Sequence, residues 1–208
     1  MLLLDLMTKI SVRITTRTIA DIDLARSPEF LKEINAYFTG NFLCGFIMLK
    51  LPFTGCLRDV VAWPLWKYHQ TFRQKKVISL IRRVVAKRMA DHKTGHRHRQ
   101  FDVMTYTLDS LADFPRDPKA NAAMVDTLSH ELLQLIWAGG QSPAVSITTT
   151  IFKLLELPEY LAPLRREAQA AISNHGWSSG LLHALPQLDS FVRETHRLHP
   201  SFPCKSSF

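Results

Sequence analysis

Residues 138–143 read Ala-Gly-Gly-Gln-Ser-Pro, and they interrupt a segment whose apolar residues recur at the three- and four-residue spacing of a helix. A glycine inside a helix costs about 0.5–1 kcal/mol and an interior proline about 3 kcal/mol. Two explanations fit this cost. Either the helix ends at Gly139 and a new one begins at Pro143 with Ser142 as its N-cap, or one helix continues through the stretch in a distorted form.

The distorted helix would provide a polar notch. Pro143 has no N–H group, so the carbonyl oxygen of Gly139 loses its helical donor, and Gln141 and Ser142 stand beside that carbonyl in the sequence. Gly139 also has no side chain that would keep a flat ligand away. If the helix continues, we expect a notch at which water sits and protons are relayed.

The helix that carries this stretch is predicted to be long. It starts at Asp117-Pro118, an N-cap residue followed by proline at the first helical position. The apolar stripe that follows consists of Val125, Leu128, Leu132, Leu135 and then Gly139. We predict one near-continuous helix from about Pro118 to Leu155, disturbed at residues 139–143.

A second informative stretch is residues 193–200, which read Arg-Glu-Thr-His-Arg-Leu-His-Pro. Glu194 and Arg197 are three residues apart, so on a helix the carboxylate and the guanidinium face each other as an ion pair. The simplest interpretation is an ordinary surface pair, because Glu-x-x-Arg is common by chance. Its position, 56 residues after Ala138 and directly before Leu-His-Pro, favours a structural role instead.

The rest of the chain is also predicted to be helical, so the fold class is mainly α. Ser27-Pro28 is a further start signal of the N-cap and proline type. The predicted helices cover residues 3–19, 27 to about 39, 63–92, and segments that start at Leu157 and Pro186. In the helix 63–92, Val, Ile and Met residues take one face, and the Lys and Arg residues take the opposite, solvated face.

Positive charge is concentrated in one surface element. The 208 residues carry a formal net charge of +8. Residues 73–99 contain ten Lys and Arg against one acid, which is +9 and leaves −1 for the remainder. A basic run this local does not indicate a nucleic-acid-binding domain. It is either the solvated face of a helix or a docking surface for an acidic partner or a membrane.

Other patterns exclude several classes of protein. Cys44, Cys56 and Cys204 are too few and too irregularly spaced for a disulfide framework or a zinc site. The histidines within residues 92–98 stand beside arginines, which repel cations, so no metal site is expected. The longest apolar run, residues 42–51, is about half of the roughly twenty residues that a membrane span needs, and no anchor or targeting signal is predicted.

Together these two stretches resemble the cytochrome P-450 monooxygenases, and the chain is identified as an internal part of a fungal-type member. In that family the long central helix crosses the haem with the pattern small residue, Gly, any residue, acid, Thr, then Thr or Ser. Ala138 and Gly139 match the small positions, and Gln141 stands at the acid. Ser142 stands at the threonine, whereas Pro143 departs from the pattern.

The resemblance implies roles for five residues. Ala138, Gly139 and Gly140 would contact the haem, and Ser142 and Gln141 would be the catalytic pair that assists proton delivery to iron-bound dioxygen. A glutamine cannot ionise, but a serine can donate and accept a hydrogen bond. Proton delivery would therefore depend on Ser142 and ordered water.

The resemblance also implies a partial cytochrome P-450 fold over residues 1–200, followed by a divergent tail at residues 201–208. Glu194 and Arg197 would be a buried structural brace of the haem-side core, not a catalytic acid and base. The family's axial ligand stands in a Phe-x-x-Gly-x-x-x-Cys-x-Gly loop, which neither Cys56 nor Cys204 matches. We therefore expect the fragment alone to be inactive as a haem-thiolate monooxygenase.

For the complete family protein, the resemblance implies iron protoporphyrin as cofactor, a small organic substrate of secondary metabolism, NADPH-cytochrome reductase as electron donor, and the endoplasmic reticulum membrane as location. No nucleic-acid partner is expected, whereas membrane association is. The alternative is a haem-free helical interaction module that docks through the basic helix at residues 73–99.

Overall fold

The computed structural model describes residues 2–50, 60, 63–64, 66–94, 102–111 and 117–199, with the backbone alone at residues 46–50 and 70. Almost all of these residues are helical and no β-strand occurs among them, which confirms the mainly α class. A π-helix at His69–Gln74 leads into α4, and a 3-10 turn at Pro158–Tyr160 precedes α7. The α-helices are α1 (Leu2–Ile19), α2 (Ile22–Arg26), α3 (Pro28–Lys50), α4 (Lys75–Lys93), α5 (Val103–Ser110), α6 (Pro118–Glu156), α7 (Leu161–His175), α8 (Gly180–His183) and α9 (Pro186–Leu198).

Contacts divide the chain into two compact units. The larger comprises Thr8–Gln141, and the smaller comprises Met1–Met7 with Ser142–Phe208. The hydrophobic core of the larger unit contains residues of all six of its α-helices, α1 to α6. Its most deeply buried side chains are Val12, Phe30, Ile34, Phe38, Val77, Ile81, Val85, Met89, Leu133 and Ile136.

The predicted helix start signals act as expected. The Ser27 hydroxyl accepts a hydrogen bond from the Phe30 N–H at 3.2 Å, and the Asp117 carboxylate accepts one from the Ala120 N–H at 2.9 Å. Each bond satisfies a donor that the first helical turn leaves without a partner. The local sequence is therefore sufficient to place the beginnings of α3 and α6.

The end of α3 was predicted wrongly, because the helix does not stop near Thr39 but continues to Lys50. Gly40 is not a helix stop. It lies against the ring of His69, which a Cβ atom at that position would overlap. The His69 ring also stacks on Tyr37, with ring centroids 5.2 Å apart. Gly40 is therefore explained by close packing between α3 and the π-helix.

The apolar face predicted for α4 is confirmed, since Val77, Ile78, Ile81, Val85 and Met89 are buried. On α6, most of the predicted stripe is confirmed, since Val125 and Leu132 are buried and Leu128 packs against the core. Leu135 is the exception, because it is 44% exposed and its neighbour Ile136 is buried instead.

Arg88 is an exception to the prediction that the basic residues of α4 are solvated. Its side chain is 3% exposed, and its Nη2 atom lies 2.7 Å from Asp21 Oδ2 and 2.9 Å from Asp102 Oδ2. Its Nη1 atom donates to the Thr105 hydroxyl at 2.9 Å. Asp21 and Asp102 are the N-caps of α2 and α5. The guanidinium therefore connects α4 to the first turns of two other helices.

In the smaller unit, α9 begins after Leu185, which has no capping side chain. The carboxylate of Glu167 on α7 accepts hydrogen bonds from the Gln187 and Leu188 N–H groups at 2.8 and 2.9 Å. A carboxylate at a helix N-terminus also interacts favourably with the helix dipole. Glu167 thus fixes the start of α9 against α7.

We expect Arg88→Met to lower the free energy of unfolding by about 3–5 kcal/mol, because it leaves two partly or fully buried carboxylates without their cation. The matched control is Arg82→Met, which removes an exposed ion pair with Asp126 and should cost about 0–1 kcal/mol. Urea unfolding followed by circular dichroism measures both. Equal effects of the two substitutions would contradict the role of Arg88.

Acidification should weaken the same cluster. Burial pushes the pKa of Asp21 upward, but hydrogen bonds from Arg88 and from the Leu24 and Asp23 N–H groups outweigh it, so the pKa lies below the ordinary value of 3.8. A lowered pKa in the folded state gives stability that is complete above about pH 4 and is lost as the pH falls further.

Asp21→Asn keeps a competent N-cap but removes the charge. The difference in unfolding free energy between the wild type and Asp21→Asn should therefore be largest near neutral pH and shrink below pH 4. A difference that stays constant down to pH 2 would show that the charge of Asp21 does not contribute.

Candidate functional site

The stretch 138–143 lies inside α6, which is one helix from Pro118 to Glu156 with Pro143 in its interior. This confirms the predicted long helix, including its start at Pro118 and its end within one residue of Leu155. The alternative, in which one helix ends at the glycines and another begins at Pro143, is not observed.

The carbonyl that Pro143 deprives of its helical donor is not an open notch. The Thr15 hydroxyl of α1 donates to the Gly139 carbonyl oxygen at 2.8 Å, and the Ser11 hydroxyl lies within hydrogen-bond distance of it at 3.3 Å. Ser11 and Thr15 are four residues apart and therefore lie on the same face of α1. The expectation of a free carbonyl at which water sits was wrong, because α1 supplies the missing donors.

The two glycines allow neighbouring helices to approach α6 closely. A Cβ atom on Gly139 would lie 2.8 Å from Cγ2 of Thr15, and one on Gly140 would lie 3.1 Å from ring and methyl carbons of Phe38 and Val12. These distances are shorter than van der Waals contact. On the sides where they lack a Cβ, both glycines therefore face protein side chains from α1 and α3.

The other candidate residues differ in exposure. Ala138 and Ser142 are exposed, whereas Gln141 is half-buried. Ala138 and Ser142 are four residues apart on α6, a spacing that brings side chains to the same face of a helix. Side chains of α1 and α3 cover the Cβ positions of Gly139 and Gly140 and leave no space there for a flat ligand, whereas Ala138 is exposed.

Gln141 has an unusual environment. Its side-chain oxygen Oε1 is buried and has no hydrogen-bond partner among the described residues. A buried acceptor without a partner costs about 1–3 kcal/mol, so such atoms are uncommon. Gln141 therefore offers an acceptor for a donor that the protein itself does not supply.

Cys44 is the one cysteine within the described part of the chain, and it is buried in α3. Burial raises the pKa of its thiol above the ordinary value. A metal ligand must be a thiolate, so Cys44 lacks the properties of an axial ligand. Cys56 and Cys204 lie outside the described residues.

Glu194 and Arg197 form the ion pair predicted from their spacing, with Arg197 Nε and Nη2 donating to the two carboxylate oxygens at 2.8 and 2.6 Å. The prediction that they are buried was wrong, since the side chains are 55% and 68% exposed. The hydrogen bond from Arg197 and its positive charge hold the pKa of Glu194 below its usual value. Within the described chain, the pair interacts as a bidentate surface pair.

Beside this pair lies an apolar groove of about 490 Å³ that was not predicted from the sequence. Glu194 and Lys153 contribute charged groups to its lining, and Thr195, which is 2% exposed, contributes a hydroxyl that donates to the Phe191 carbonyl. The apolar lining consists of Leu157, Tyr160, Leu164, Pro186, Phe191 and Leu198. Phe191, Thr195 and Leu198 are spaced by four and three residues, and this helical stripe could have indicated the groove.

Gly139→Ala should destabilise the chain by about 1–3 kcal/mol, because the new Cβ overlaps Thr15. Combining it with Thr15→Ser, which removes Cγ2 but keeps the hydroxyl, should recover much of the loss. Gly45→Ala is the control, since no atom lies within 4 Å of a Cβ at that position, and alanine there should be neutral or stabilising. Thermal unfolding of the wild type and these three variants measures this. A neutral Gly139→Ala would show that close packing does not require the glycine.

Comparisons with known proteins extend over nearly the whole chain. The family model described as cytochrome P-450 matches residues 3–206. Ent-kaurene oxidase of Gibberella intermedia is 26% identical over 197 residues, which cover 95% of this chain and 35% of that protein. The cytochrome P-450 monooxygenase olcJ of Penicillium canescens is 29% identical over 203 residues, which cover 94% and 36%.

A third relative, the cytochrome P-450 monooxygenase esdpG of Penicillium shearii, is 31% identical over 192 residues, which cover 90% of this chain and 36% of that protein. The chain thus spans about a third of the length of the curated relatives it matches. No solved structure matches it significantly.

Proposed function

This chain belongs to the cytochrome P-450 family, and we propose that it is part of a haem-thiolate monooxygenase, an oxidoreductase that acts on paired donors and inserts one atom of dioxygen into a small organic substrate. The geometry that best supports this is the exposure of Ala138 and Ser142 on the long helix α6. The haem-free interaction module is not favoured, because the family match covers residues 3–206.

Ala138 is proposed to contact the cofactor, since a methyl side chain lets a flat ring approach the helix closely. Gly139 and Gly140 are proposed to support this contact indirectly, because they let α1 and α3 pack closely against α6 and so fix its position. Haem, when bound, would supply the redox chemistry, and a cysteine thiolate as axial ligand favours O–O cleavage.

Ser142 and Gln141 are proposed as the catalytic pair, with different tasks. The Ser142 hydroxyl can accept a proton from one neighbour and donate one to another, so it can pass a proton along a hydrogen-bonded chain. Gln141 cannot ionise, but its unpartnered Oε1 can accept a hydrogen bond and so orient a water molecule. Proton delivery in this chain therefore depends on a hydroxyl and water, without a carboxylic acid.

Glu194 and Arg197 are proposed as a structural brace that becomes effective only in the complete protein. In the described chain both side chains are exposed and an apolar groove lies beside them. We propose that further parts of the full-length protein cover the pair and fill the groove. Buried in this way, the pair would need additional hydrogen bonds to be stable.

The remaining assignments concern the complete protein. Residues 1–200 are proposed to be part of its cytochrome P-450 domain, and residues 201–208 a divergent tail. NADPH-cytochrome reductase is proposed as the electron donor and the endoplasmic reticulum membrane as the location. No helix among the described residues has both the length and the apolar character that crossing a bilayer requires.

The 208-residue chain reconstituted with haem should show no thiolate-type Soret band in the reduced carbon-monoxide difference spectrum, because none of its cysteines stands in the family's ligand loop. A chain extended by the adjoining coding sequence should contain the Phe-x-x-Gly-x-x-x-Cys-x-Gly loop and give the band. A band from the short chain that disappears in Cys204→Ser would contradict the proposed inactivity. The absence of the loop from the adjoining sequence would contradict the monooxygenase assignment.

A further inference from the structure

One hydrogen bond between α6 and α9 lies outside the site described above. The Ser146 hydroxyl oxygen on α6 is 2.5 Å from Nε2 of His196 on α9. Both residues belong to the smaller unit, as Ser142 does, and both are half-buried. In the sequence, His196 stands between Glu194 and Arg197. The contact therefore connects the helix of the predicted brace to the helix that carries Ser142.

The Ser146 hydroxyl differs from the threonine hydroxyls that follow it on α6. Thr148, Thr149 and Thr150 each donate to the backbone carbonyl four residues earlier, at 2.7, 2.9 and 2.9 Å. Such a bond is common for a hydroxyl inside a helix. Ser146 makes none, and within the described residues its hydroxyl bonds to His196 alone. A hydroxyl that is held by a ring, and not by its own helix, can exchange protons with that ring.

Ser142 is close enough to Ser146 for a single water molecule to connect them. The two residues are four apart on α6, so their β-carbons lie about 5–6 Å from each other on the same face. Two hydrogen bonds through one water molecule span about the same distance. Ser142 is exposed, and its hydroxyl has no hydrogen-bond partner in the described part of the chain. It is therefore available to such a water.

We propose that His196 supplies protons to Ser142 by way of Ser146. The inference rests on the proposed function, in which Ser142 delivers protons and Gln141 cannot supply them because it does not ionise. Histidine does ionise near neutral pH, so His196 is the proton donor that Gln141 cannot be. It acts through Ser146 and does not touch the reacting atoms.

The transfer moves one proton at each step and leaves every bond between heavier atoms intact. When its bond to Ser146 opens, the half-buried ring takes up a proton at Nε2 from hydronium or a buffer acid. When the bond re-forms, Nε2 gives that proton to Ser146 Oγ, and Ser146 gives its own hydroxyl hydrogen to the bridging water. The water passes a hydrogen to Ser142, which releases its own to the reaction. His196 is then neutral, with its remaining hydrogen on Nδ1, and can take up the next proton.

The first test examines the contact in the 208-residue chain without haem. Nitrogen-15 NMR of the imidazole rings measures it, and the His196 signals are assigned by their loss in His196→Gln. Ser146→Ala should shift the His196 Nε2 resonance, because the ring loses its hydrogen-bond partner. Thr149→Ala is the matched control, since the Thr149 hydroxyl bonds to the Val145 carbonyl, and it should leave the resonance in place. An Nε2 resonance that Ser146→Ala does not shift would overturn the proposal.

The second test examines the relay in the chain extended by the adjoining coding sequence, loaded with haem and supplied with NADPH and NADPH-cytochrome reductase. Oxygen consumption is measured, so the substrate need not be known. His196→Gln keeps a side chain that can hydrogen-bond to Ser146 but cannot ionise, and it should slow consumption about a hundredfold. Ser146→Ala should slow it equally and the double variant no further, because both residues act in one path. Thr149→Ala should consume oxygen at the wild-type rate.

A small acid in solution distinguishes a relay from a structural contact. Dihydrogen phosphate, raised at constant pH and ionic strength, should restore part of the rate of His196→Gln, because a dissolved acid can donate a proton but cannot repair packing. Far-ultraviolet circular dichroism checks that each variant keeps its helices. A wild-type rate in His196→Gln, or a loss that phosphate does not reduce, would overturn the relay alone. A wild-type holoprotein that consumes no oxygen would overturn the proposed function and the relay with it.

Discussion

The guanidinium of Arg88 lies between the carboxylates that cap α2 and α5, and the arrangement of the larger unit depends on this contact. A buried charge is stable only when partners surround it closely, so α4 cannot move away from either cap without exposing an unpaired ion. Asp21 and Asp102 each interact with two positive groups, the guanidinium and the N-terminus of the helix that they cap. One side chain thereby fixes the positions of three helices.

A second constraint acts where α1 crosses α6. Pro143 removes a helical hydrogen bond, and α1 replaces it with the hydroxyl groups of Thr15 and Ser11. Gly139 permits this, because any side chain there would collide with Thr15. Pro143, Gly139 and Thr15 therefore depend on one another. Contacts with α1 fix the position of α6 at Gly139, next to the exposed Ala138.

The sequence was sufficient for features that depend on neighbouring residues and not for those that depend on distant ones. The starts at Pro28, Pro118 and Pro186 were predicted, because a proline at the first helical position is a local signal. The burial of Arg88 was not, since its partner Asp21 is 67 residues away and the amphipathic pattern of α4 favours a solvated arginine. The donor to the Gly139 carbonyl was also missed, because Thr15 is 124 residues away.

The π-helix at residues 69–74 changes which residues before and after it lie on the same side of the helix. A π-turn holds about one residue more than an α-turn, so the residues before it are rotated by about 100° relative to an uninterrupted helix. The buried ring of His69, stacked on Tyr37 and seated over Gly40, fixes the place of this extra residue. Which side of the helix the exposed rings of Trp63, Trp66 and Tyr68 occupy, relative to the basic residues of α4, therefore depends on this one extra residue. In a relative that lacks one residue in this turn, the same aromatic and basic residues would be rotated by about 100° relative to each other around the helix axis.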